Sequence, residues 1–190
     1  MPVNLRRGVS TVTEIYGVTG MPLSGKTLVA DIMKDQGFKV LDMGDVVRIE
    51  MQKRDIETED TGNWVNDMRE EHGMDAIAKL SLPYLQEIVE ENQDVVITGM
   101  RGWSEKNRFE EEINQDISVV SVWASKETRK SRRNDRQREE DVKGDEFHER
   151  DIREIENGVG KLMALSNHIV KNDNKSKQEL EEKVKTVLES

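Results

Sequence analysis

The stretch Gly20-Met21-Pro22-Leu23-Ser24-Gly25-Lys26-Thr27 decides the fold of this 190-residue chain. Before it lies a short apolar run, Glu14 to Val18, and after it Lys26 to Gln36 have the apolar spacing of an amphipathic helix. The two glycines between them permit backbone conformations that other residues resist. A strand, a glycine-containing turn and a helix in this order predict the first unit of an α/β protein.

The same eight residues fit the pattern G-x-x-x-x-G-K-[ST] of the phosphate-binding loop, or P-loop. Gly20 and Gly25 let backbone N–H groups converge on phosphate oxygens, and the following helix adds its positive end. Lys26 supplies a cation for the β and γ phosphates, and the Thr27 hydroxyl is a ligand for the bridging Mg²⁺. A plain strand-to-helix turn with an exposed lysine is the alternative. We expect these residues to bind a nucleoside triphosphate: Gly20, Met21, Pro22, Leu23, Ser24, Gly25, Lys26, Thr27 and Leu28.

Further short apolar runs alternate with helical patterns along the rest of the chain. The expected strands are Glu14–Val18, Phe38–Leu41, Asp94–Thr98, Ile117–Trp123 and His168–Val170. The expected helices are Lys26–Gln36, Asp45–Asp55, Asn63–His72, Asp75–Asn92 (kinked or split by Pro83), Ser104–Asn114, Lys126–Arg138, Glu146–Leu165 and Ser176–Leu188. This alternation predicts one α/β domain with a mostly parallel sheet, whose ligand site lies in the loops after the first three strands.

Composition excludes several classes of function. Asp and Glu number 39 against 29 Lys and Arg, so the net charge of −10 opposes nonspecific binding to nucleic acid or an anionic membrane. No cysteine is present for a disulfide or a zinc–thiolate site. No segment has the length and apolarity of a membrane span, and the start lacks the apolar core of a signal peptide. We expect a cytoplasmic protein with a loosely held extension at 1–13 and a domain at 14–190.

Arg101 lies between two glycines in the loop that follows the third predicted strand, Thr98-Gly99-Met100-Arg101-Gly102. That position is at the ligand-facing edge of the sheet, where a guanidinium grips the phosphate of an acceptor through two parallel hydrogen bonds. The alternative is a simple turn in which Arg101 pairs with a surface carboxylate.

Residues 129–138 carry six cations opposed by one acidic residue, Asp135. On a helix Arg129, Arg132, Arg133 and Arg136 share one face, where their charges repel one another. A bound anion would relieve that repulsion, so the arginine stripe predicts a lid that closes over transferring phosphates. A solvated helix neutralised by the acidic residues at 139–141 is the alternative. A nucleic-acid patch is disfavoured because no aromatic residues are interleaved for stacking.

Asp45 lies at the start of the helix that follows the second predicted strand. It is a candidate N-cap residue for that helix. It is also a candidate base for an acceptor hydroxyl, or a carboxylate that helps to hold hydrated Mg²⁺.

Four segments together resemble an archaeal family of P-loop proteins with nucleotide-kinase-like sequences, related to dephospho-coenzyme A kinases and more distantly to adenylate and cytidylate kinases. These segments are 20–27, 43–48, 99–101 and 128–138. Residues 149–160 and 168–173 are similar to later parts of the same family. The resemblance covers about Tyr16 to Leu188, which is nearly the whole chain.

The resemblance implies a three-layer P-loop NTPase fold with a parallel five-stranded sheet, as in nucleoside monophosphate kinases. It also implies an acceptor-binding helical region at 45–92 and a lid at 129–149. Asp45 falls near the carboxylate that faces the acceptor hydroxyl in dephospho-coenzyme A kinases, and Arg101 corresponds to an acceptor-side arginine. Arg132, Arg136 and Arg138 fall among the lid arginines, and Asn172 lies in the loop that borders the adenine.

One position departs from the family pattern. Relatives usually carry Asp-Gly where this chain has Thr98-Gly99, so the strand-end carboxylate that helps to order the Mg²⁺ shell is missing. A neutral hydroxyl is a weaker partner for this metal. Either Asp42 or Asp45 compensates, or the chain is mainly a nucleotide-binding protein.

These observations predict ATP- and Mg²⁺-dependent phosphoryl transfer to a small phosphate-bearing acceptor, with Lys26, Asp45, Arg101, Arg132 and Arg136 as catalytic residues and Thr27 and Asp45 at the metal. A nucleotide-binding switch or slow ATPase that acts on a partner protein is the alternative. The identity of the acceptor, the choice between ATP and GTP and the oligomeric state stay open at this point.

Overall fold

The computed structural model describes residues 13–136 and 146–190. The strands in this part of the chain are β1 (Ile15–Thr19), β2 (Lys39–Asp42), β3 (Val95–Thr98), β4 (Ser118–Trp123) and β5 (His168–Lys171). The helices are α1 (Lys26–Asp35), α2 (Met43–Gln52), α3 (Thr61–His72), α4 (Ala76–Glu90), α5 (Trp103–Ile113), α6 (Lys126–Arg136), α7 (Glu146–Glu156), α8 (Val159–Ala164) and α9 (Lys177–Leu188), with a 3₁₀ turn at Thr58–Asp60.

All five strands form one parallel sheet in the order β2-β3-β1-β4-β5. The first strand lies in the centre, where Val18 is in register with Thr98 of β3 on one side and with Val120 of β4 on the other. The chain therefore leaves β1 at the point where the strand order reverses, and open α/β sheets bind ligands in the crevice at that point. The expected α/β fold with a parallel five-stranded sheet is confirmed.

The sheet lies between two layers of helices because successive residues of a strand point to opposite faces. On β3, Val95 and Ile97 join the apolar cluster under α2, α4, α5 and α8, whereas Val96 joins the cluster under α1 and α9. Both clusters are fully buried at their centres. Burial on both faces explains why this strand reads as a continuous apolar run rather than as an alternating one.

The structure contradicts one expectation about the helices and excludes one half of another, the split at Pro83. Pro83 does not split its segment, because α4 runs unbroken from Ala76 to Glu90 while the leucines on either side of the proline, Leu82 and Leu85, pack into the core. The segment expected as one helix at 146–165 is two helices, α7 and α8, joined at Gly158 with φ +105°. A Cβ at this glycine would lie 3.2 Å from the Arg101 carbonyl oxygen, so the corner packs directly on the Arg101 loop.

Two parts of the expected domain organisation fall on residues that the structure does not describe. Residues 1–12 of the expected extension and residues 137–145 of the expected lid lie outside the described ranges. Within those ranges, no helix combines the length and the apolarity that crossing a membrane requires.

Candidate functional site

The loop between β1 and α1 has the backbone geometry that its sequence predicts. Gly20, Leu23 and Gly25 all have positive φ, at +150°, +64° and +101°. A Cβ at Gly20 would lie 2.4 Å from the Val122 carbonyl oxygen, and one at Gly25 would lie 2.2 Å from Asn172 Nδ2. At both positions, therefore, a side chain has no room and the backbone conformation favours glycine. The loop ends on the first turn of α1, which begins at Lys26.

Lys26 folds back onto its own loop. Its Nζ donates hydrogen bonds to the carbonyl oxygens of Gly20 and Met21, at 2.8 and 3.0 Å. Burial lowers the pKa of this ammonium from 10.5 to about 8, although the nearby Glu154 carboxylate acts in the opposite direction. Three neighbouring guanidinium groups lower it further: Arg101, Arg150 and Arg129. These positive charges favour a bound polyanion, although Arg129 and Arg101 each also hold a carboxylate.

Arg132 and Asn172 support the loop through its carbonyl oxygens. Nη1 of Arg132 donates to the carbonyls of Leu23 and Ser24, both at 3.0 Å, and Nη2 donates to the Asn172 carbonyl at 2.7 Å. The buried Asn172 side chain donates a further hydrogen bond to the Ser24 carbonyl, at 2.8 Å. The sequence predicted that Arg132 covers the transferring phosphate and that Asn172 borders the adenine. In the structure both side chains hold the loop in shape.

Arg129 is a buried residue, not an exposed member of the expected arginine stripe. Its guanidinium forms two parallel hydrogen bonds with the Asp151 carboxylate, at 2.6 and 2.7 Å, and a third with the Pro22 carbonyl at 3.3 Å. The ring of Phe147 lies 5.1 Å from the guanidinium carbon. These contacts join α6, α7 and the loop. Arg136 belongs to α6, but its side chain is outside the described part of the chain, as is Arg138.

The Arg101 loop is held by a residue that sequence reasoning missed. The backbone N–H groups of Arg101 and Gly102 donate to Oε2 of the buried Glu105, at 2.7 and 3.1 Å. Oε1 of the same carboxylate lies 3.5 Å from Arg69 on α3, and burial raises its pKa above the ordinary value. The sequence does contain a signal for this role. Glu105 lies three residues after Gly102, which is the position of a capping carboxylate at the start of a helix.

Glu154 on α7 is a second residue that was not singled out. Its Oε2 lies 3.4 Å from Nε of Arg101, and its charge also acts on Lys26. The side chain of Arg101 is 44% exposed, so it is accessible to solvent in addition to this ion pair. Because Asp151 lies three residues before Glu154 on the same helix, the buried pair with Arg129 fixes the face of α7 that carries Glu154.

The ends of β2 and β3 place Asp42, Thr98 and Asp45 together. The N-cap residue of α2 is Asp42, whose Oδ1 accepts from the Asp45 backbone N–H at 3.0 Å, so the alternative that Asp45 caps this helix is wrong. Thr98 Oγ1 donates to Oδ2 of Asp42 at 2.7 Å. The Asp45 carboxylate is 65% exposed and pairs with Arg48 on the next turn. Asp45 is also the first residue of the helical region at 45–92 that was expected to bind the acceptor.

The described residues supply few metal ligands of their own. Across 13–136 and 146–190, no three His, Asp or Glu side chains converge as a metal-binding group would require. A Mg²⁺ ion at this edge of the sheet would therefore depend on phosphate oxygens and water in addition to one or two protein oxygens, which is its usual arrangement in nucleotide sites.

Comparison with known proteins assigns the family. The sequence profile of AAA_17, described as an AAA domain, matches residues 19–149. A UPF0200 protein of Methanocaldococcus jannaschii is 36% identical over 162 residues, which cover 84% of this chain and 81% of the relative. The chain belongs to the AAA_17 and UPF0200 families. A UPF0200/UPF0201 protein of Archaeoglobus fulgidus is 35% identical over 178 residues, and this UPF0200 chain spans 55% of its length. The expected resemblance to an archaeal P-loop family is confirmed.

Solved structures show the same fold. A Thermus thermophilus protein superposes with a TM-score of 0.69 at 17% identity, covering 94% of this UPF0200 chain and 97% of its own. Shikimate kinase from Acinetobacter baumannii in complex with shikimate superposes with a TM-score of 0.58 at 16% identity, covering 94% and 93% of the two chains. The chain has the α/β P-loop NTPase fold of such kinases, and the fold is compatible with nucleotide-binding phosphotransfer.

Proposed function

We propose that the chain is a cytoplasmic, ATP- and Mg²⁺-dependent kinase that transfers the terminal phosphoryl group to a small acceptor that carries a phosphate. The observation that carries this proposal is the Lys26 ammonium, which is held at the mouth of a left-handed glycine loop by two carbonyl oxygens. Shikimate kinase, a phosphotransferase by name, shares the fold and adds support.

The loop fits a triphosphate on two structural grounds. Ser24 Oγ is buried and has no hydrogen-bond partner among the described residues, so the loop holds a polar atom that is still unsatisfied. Lys26 is desolvated, and its hydrogen-bond partners among the described residues are neutral carbonyls, so a polyanion would supply a counter-charge where burial has removed water. Together with the positive end of α1, these groups form an anion site.

Each proposed residue has a distinct task. Lys26 binds the β and γ phosphates, Thr27, an exposed residue, offers its hydroxyl to the metal, and the partly exposed Arg101 binds the phosphate of the acceptor. Asp45 orients the acceptor hydroxyl and contributes to the metal's water shell. Bound Mg²⁺ would neutralise charge on the β and γ phosphates. Holding the two substrates in line accounts for most of the rate enhancement.

The remaining parts of the proposal concern whole segments. The helical region at 45–92 would form the acceptor side, and 129–149 would close as a lid with Arg136 over the transferring group. Arg132 and Asn172 take part by holding the carbonyl side of the loop, so that its N–H groups point at the nucleotide.

The first test is Lys26→Ala assayed with ATP, Mg²⁺ and a panel of acceptors that includes nucleoside monophosphates and dephospho-coenzyme A. We expect acceptor-dependent ADP release by the wild type and a loss of about 10²- to 10³-fold in the variant, because one transition-state donor is removed. Circular dichroism checks that the variant keeps its fold. Undiminished turnover by Lys26→Ala would contradict the mechanism.

A second candidate is a nucleotide-binding switch or slow ATPase that acts on a partner protein. It is favoured by Thr98, which stands where the resemblance to dephospho-coenzyme A kinases implies a carboxylate. The same assay separates the two candidates, because a slow rate of ADP release that no acceptor changes would favour the switch.

A further inference from the structure

We propose that Asp42 supplies the carboxylate that orders the Mg²⁺ shell of the bound triphosphate, and that Thr98 positions this carboxylate instead of contributing one itself. The inference rests on the proposed binding of a triphosphate at the P-loop. It assigns the main part of this task to Asp42, whereas the sequence left it divided between Asp42 and Asp45.

The two residues are neighbours at the edge of the sheet that carries the P-loop. Asp42 is in register with Thr98 across β2 and β3, and Thr98 is in register with Val18, two residues before Gly20. Position 98 is therefore the strand end next to the loop, and position 42 is one strand further out. Position 42 is two strand spacings, roughly 10 Å, from the strand that leads into the loop, a gap that a hydrated Mg²⁺ ion bound to the phosphates would span.

The hydrogen bond between these residues fixes the Asp42 carboxylate. Thr98 Oγ1 donates to Oδ2 at 2.7 Å, and the Asp45 N–H donates to Oδ1 at 3.0 Å. Both donors are neutral, and each oxygen keeps acceptor capacity, because an ionised carboxylate offers about four lone-pair sites. The side chain is thus oriented in advance, and the Arg48 guanidinium, which also lies beside Gly44, pairs with Asp45 rather than with Asp42.

Asp42 differs in this respect from the other carboxylates at the site. Asp45 pairs with Arg48, Glu154 with Arg101, and Glu105 with Arg69. Among the residues that the structure describes, no Lys, Arg or His side chain lies within ion-pair distance of Asp42. Since a carboxylate that already holds a guanidinium has less charge to offer a metal, Asp42 is the site carboxylate best suited to Mg²⁺.

The direction of the Thr98 hydrogen bond explains why a threonine is compatible with metal binding here. Its hydroxyl gives its proton to Asp42, so it acts as a positioning group and leaves the anionic oxygen to the metal or to a metal-bound water. A carboxylate at position 98 would instead face the Asp42 carboxylate across this short distance, and the two charges would repel each other. Thr98 and Asp42 therefore work as a pair.

The test compares Asp42→Asn with the wild type by calorimetric titration of ATP, with and without Mg²⁺, and by electron paramagnetic resonance of Mn²⁺ in the ATP complex. Asparagine caps a helix as well as aspartate does, so the change removes the charge and keeps the cap. We expect the Mg²⁺-dependent gain in ATP affinity to fall about 10- to 100-fold in the variant, while metal-free ATP affinity is retained.

Rescue provides the sharper test. Thr98→Asp combined with Asp42→Asn moves the carboxylate back to β3, and we expect it to restore most of the Mg²⁺-dependent gain. The second variant is Thr98→Val, which keeps the shape of the side chain but removes the hydroxyl. Asp42 then keeps its charge but loses one of the hydrogen bonds that orient it. We expect the Mg²⁺-dependent gain in ATP affinity to fall less than in Asp42→Asn.

Two rival carboxylates serve as comparisons. If Asp45→Asn or Glu154→Gln abolishes the Mg²⁺-dependent gain while Asp42→Asn retains it, the inference is overturned. A wild type whose ATP affinity does not respond to Mg²⁺ overturns it as well. Failure of the proposed function would look different, because the wild type would then bind no ATP even without metal.

Discussion

Lys26 shows how burial changes the chemistry of a single residue at this site. The side chain is surrounded by loop carbonyls and by several arginines, and burial brings its pKa from 10.5 down to about 8. Above that pH the free protein loses the positive charge that a triphosphate requires. A bound triphosphate favours the charged form, so binding and protonation of Lys26 are linked.

We therefore predict that ATP affinity in the absence of Mg²⁺ falls between about pH 8 and pH 10, by at most tenfold per pH unit, since one proton is involved. An ordinary lysine would keep its charge until about pH 10.5. Calorimetric titration in two buffers of different ionisation enthalpy should register the uptake of nearly one proton on binding at about pH 9.

Lys26→Arg is the matched control, because a guanidinium stays charged throughout this range. Its affinity is expected to be lower, since the larger group fits the loop less well, but flat between pH 8 and pH 10. A flat profile for the wild type would contradict the depressed pKa.

Among the elements, α6 and α7 are joined by one buried ion pair. Arg129 donates two hydrogen bonds to the Asp151 carboxylate, and it also donates one to the carbonyl of Pro22 in the loop. Arg132, one turn further along α6, holds the next two carbonyls. Helix α6 thus holds the carbonyl oxygens of the P-loop in place. Through the ion pair with α7 it also fixes the position of Glu154.

We predict that Arg129→Ala lowers the free energy of unfolding by about 3–5 kcal/mol, because it leaves the Asp151 carboxylate buried and unpaired. Urea unfolding followed by circular dichroism provides the measurement. Lys130→Ala, an exposed change on the same helix, should stay within about 0.5 kcal/mol of the wild type.

Replacing both partners tests the explanation. Arg129→Met with Asp151→Leu leaves no buried charge, so this double variant should recover much of the lost stability. A loss below about 1 kcal/mol in Arg129→Ala would mean that the pair is not needed to hold the two helices together.

At the scale of the whole molecule, the site is assembled from segments that follow all five strands of the sheet. The central position of β1 brings the P-loop between the Asp42–Thr98 pair on one side and the loop of Asn172 on the other. Nucleotide binding should therefore stabilise the entire sheet, because its contacts are distributed over segments that are far apart in sequence.

We predict that ATP at one hundred times its Kd raises the free energy of unfolding by about 2.7 kcal/mol, which for a domain of this size is a rise in Tm of about 5–10 °C. Thermal unfolding with and without ATP and Mg²⁺ measures the shift. Lys26→Met should unfold cooperatively and show little shift. An equal shift in that variant would place the nucleotide elsewhere.

The sequence alone determined the features that depend on neighbouring residues. Gly20 to Thr27 are contiguous, and the need for two glycines, a lysine and a helix start is a local requirement. The five strands and the start of the last helix at Ser176, which caps α9, were predictable for the same reason, since periodicity and capping act over a few residues.

The tertiary structure alone decided which distant groups meet. That Arg129 pairs with Asp151, that Arg132 binds loop carbonyls and that Glu105 holds the Arg101 loop depend on how the helices pack on the sheet. An arginine stripe has the same sequence whether its charges face a ligand, a carboxylate or the backbone. Burial and distance distinguish these cases, and both arise only when the chain is folded.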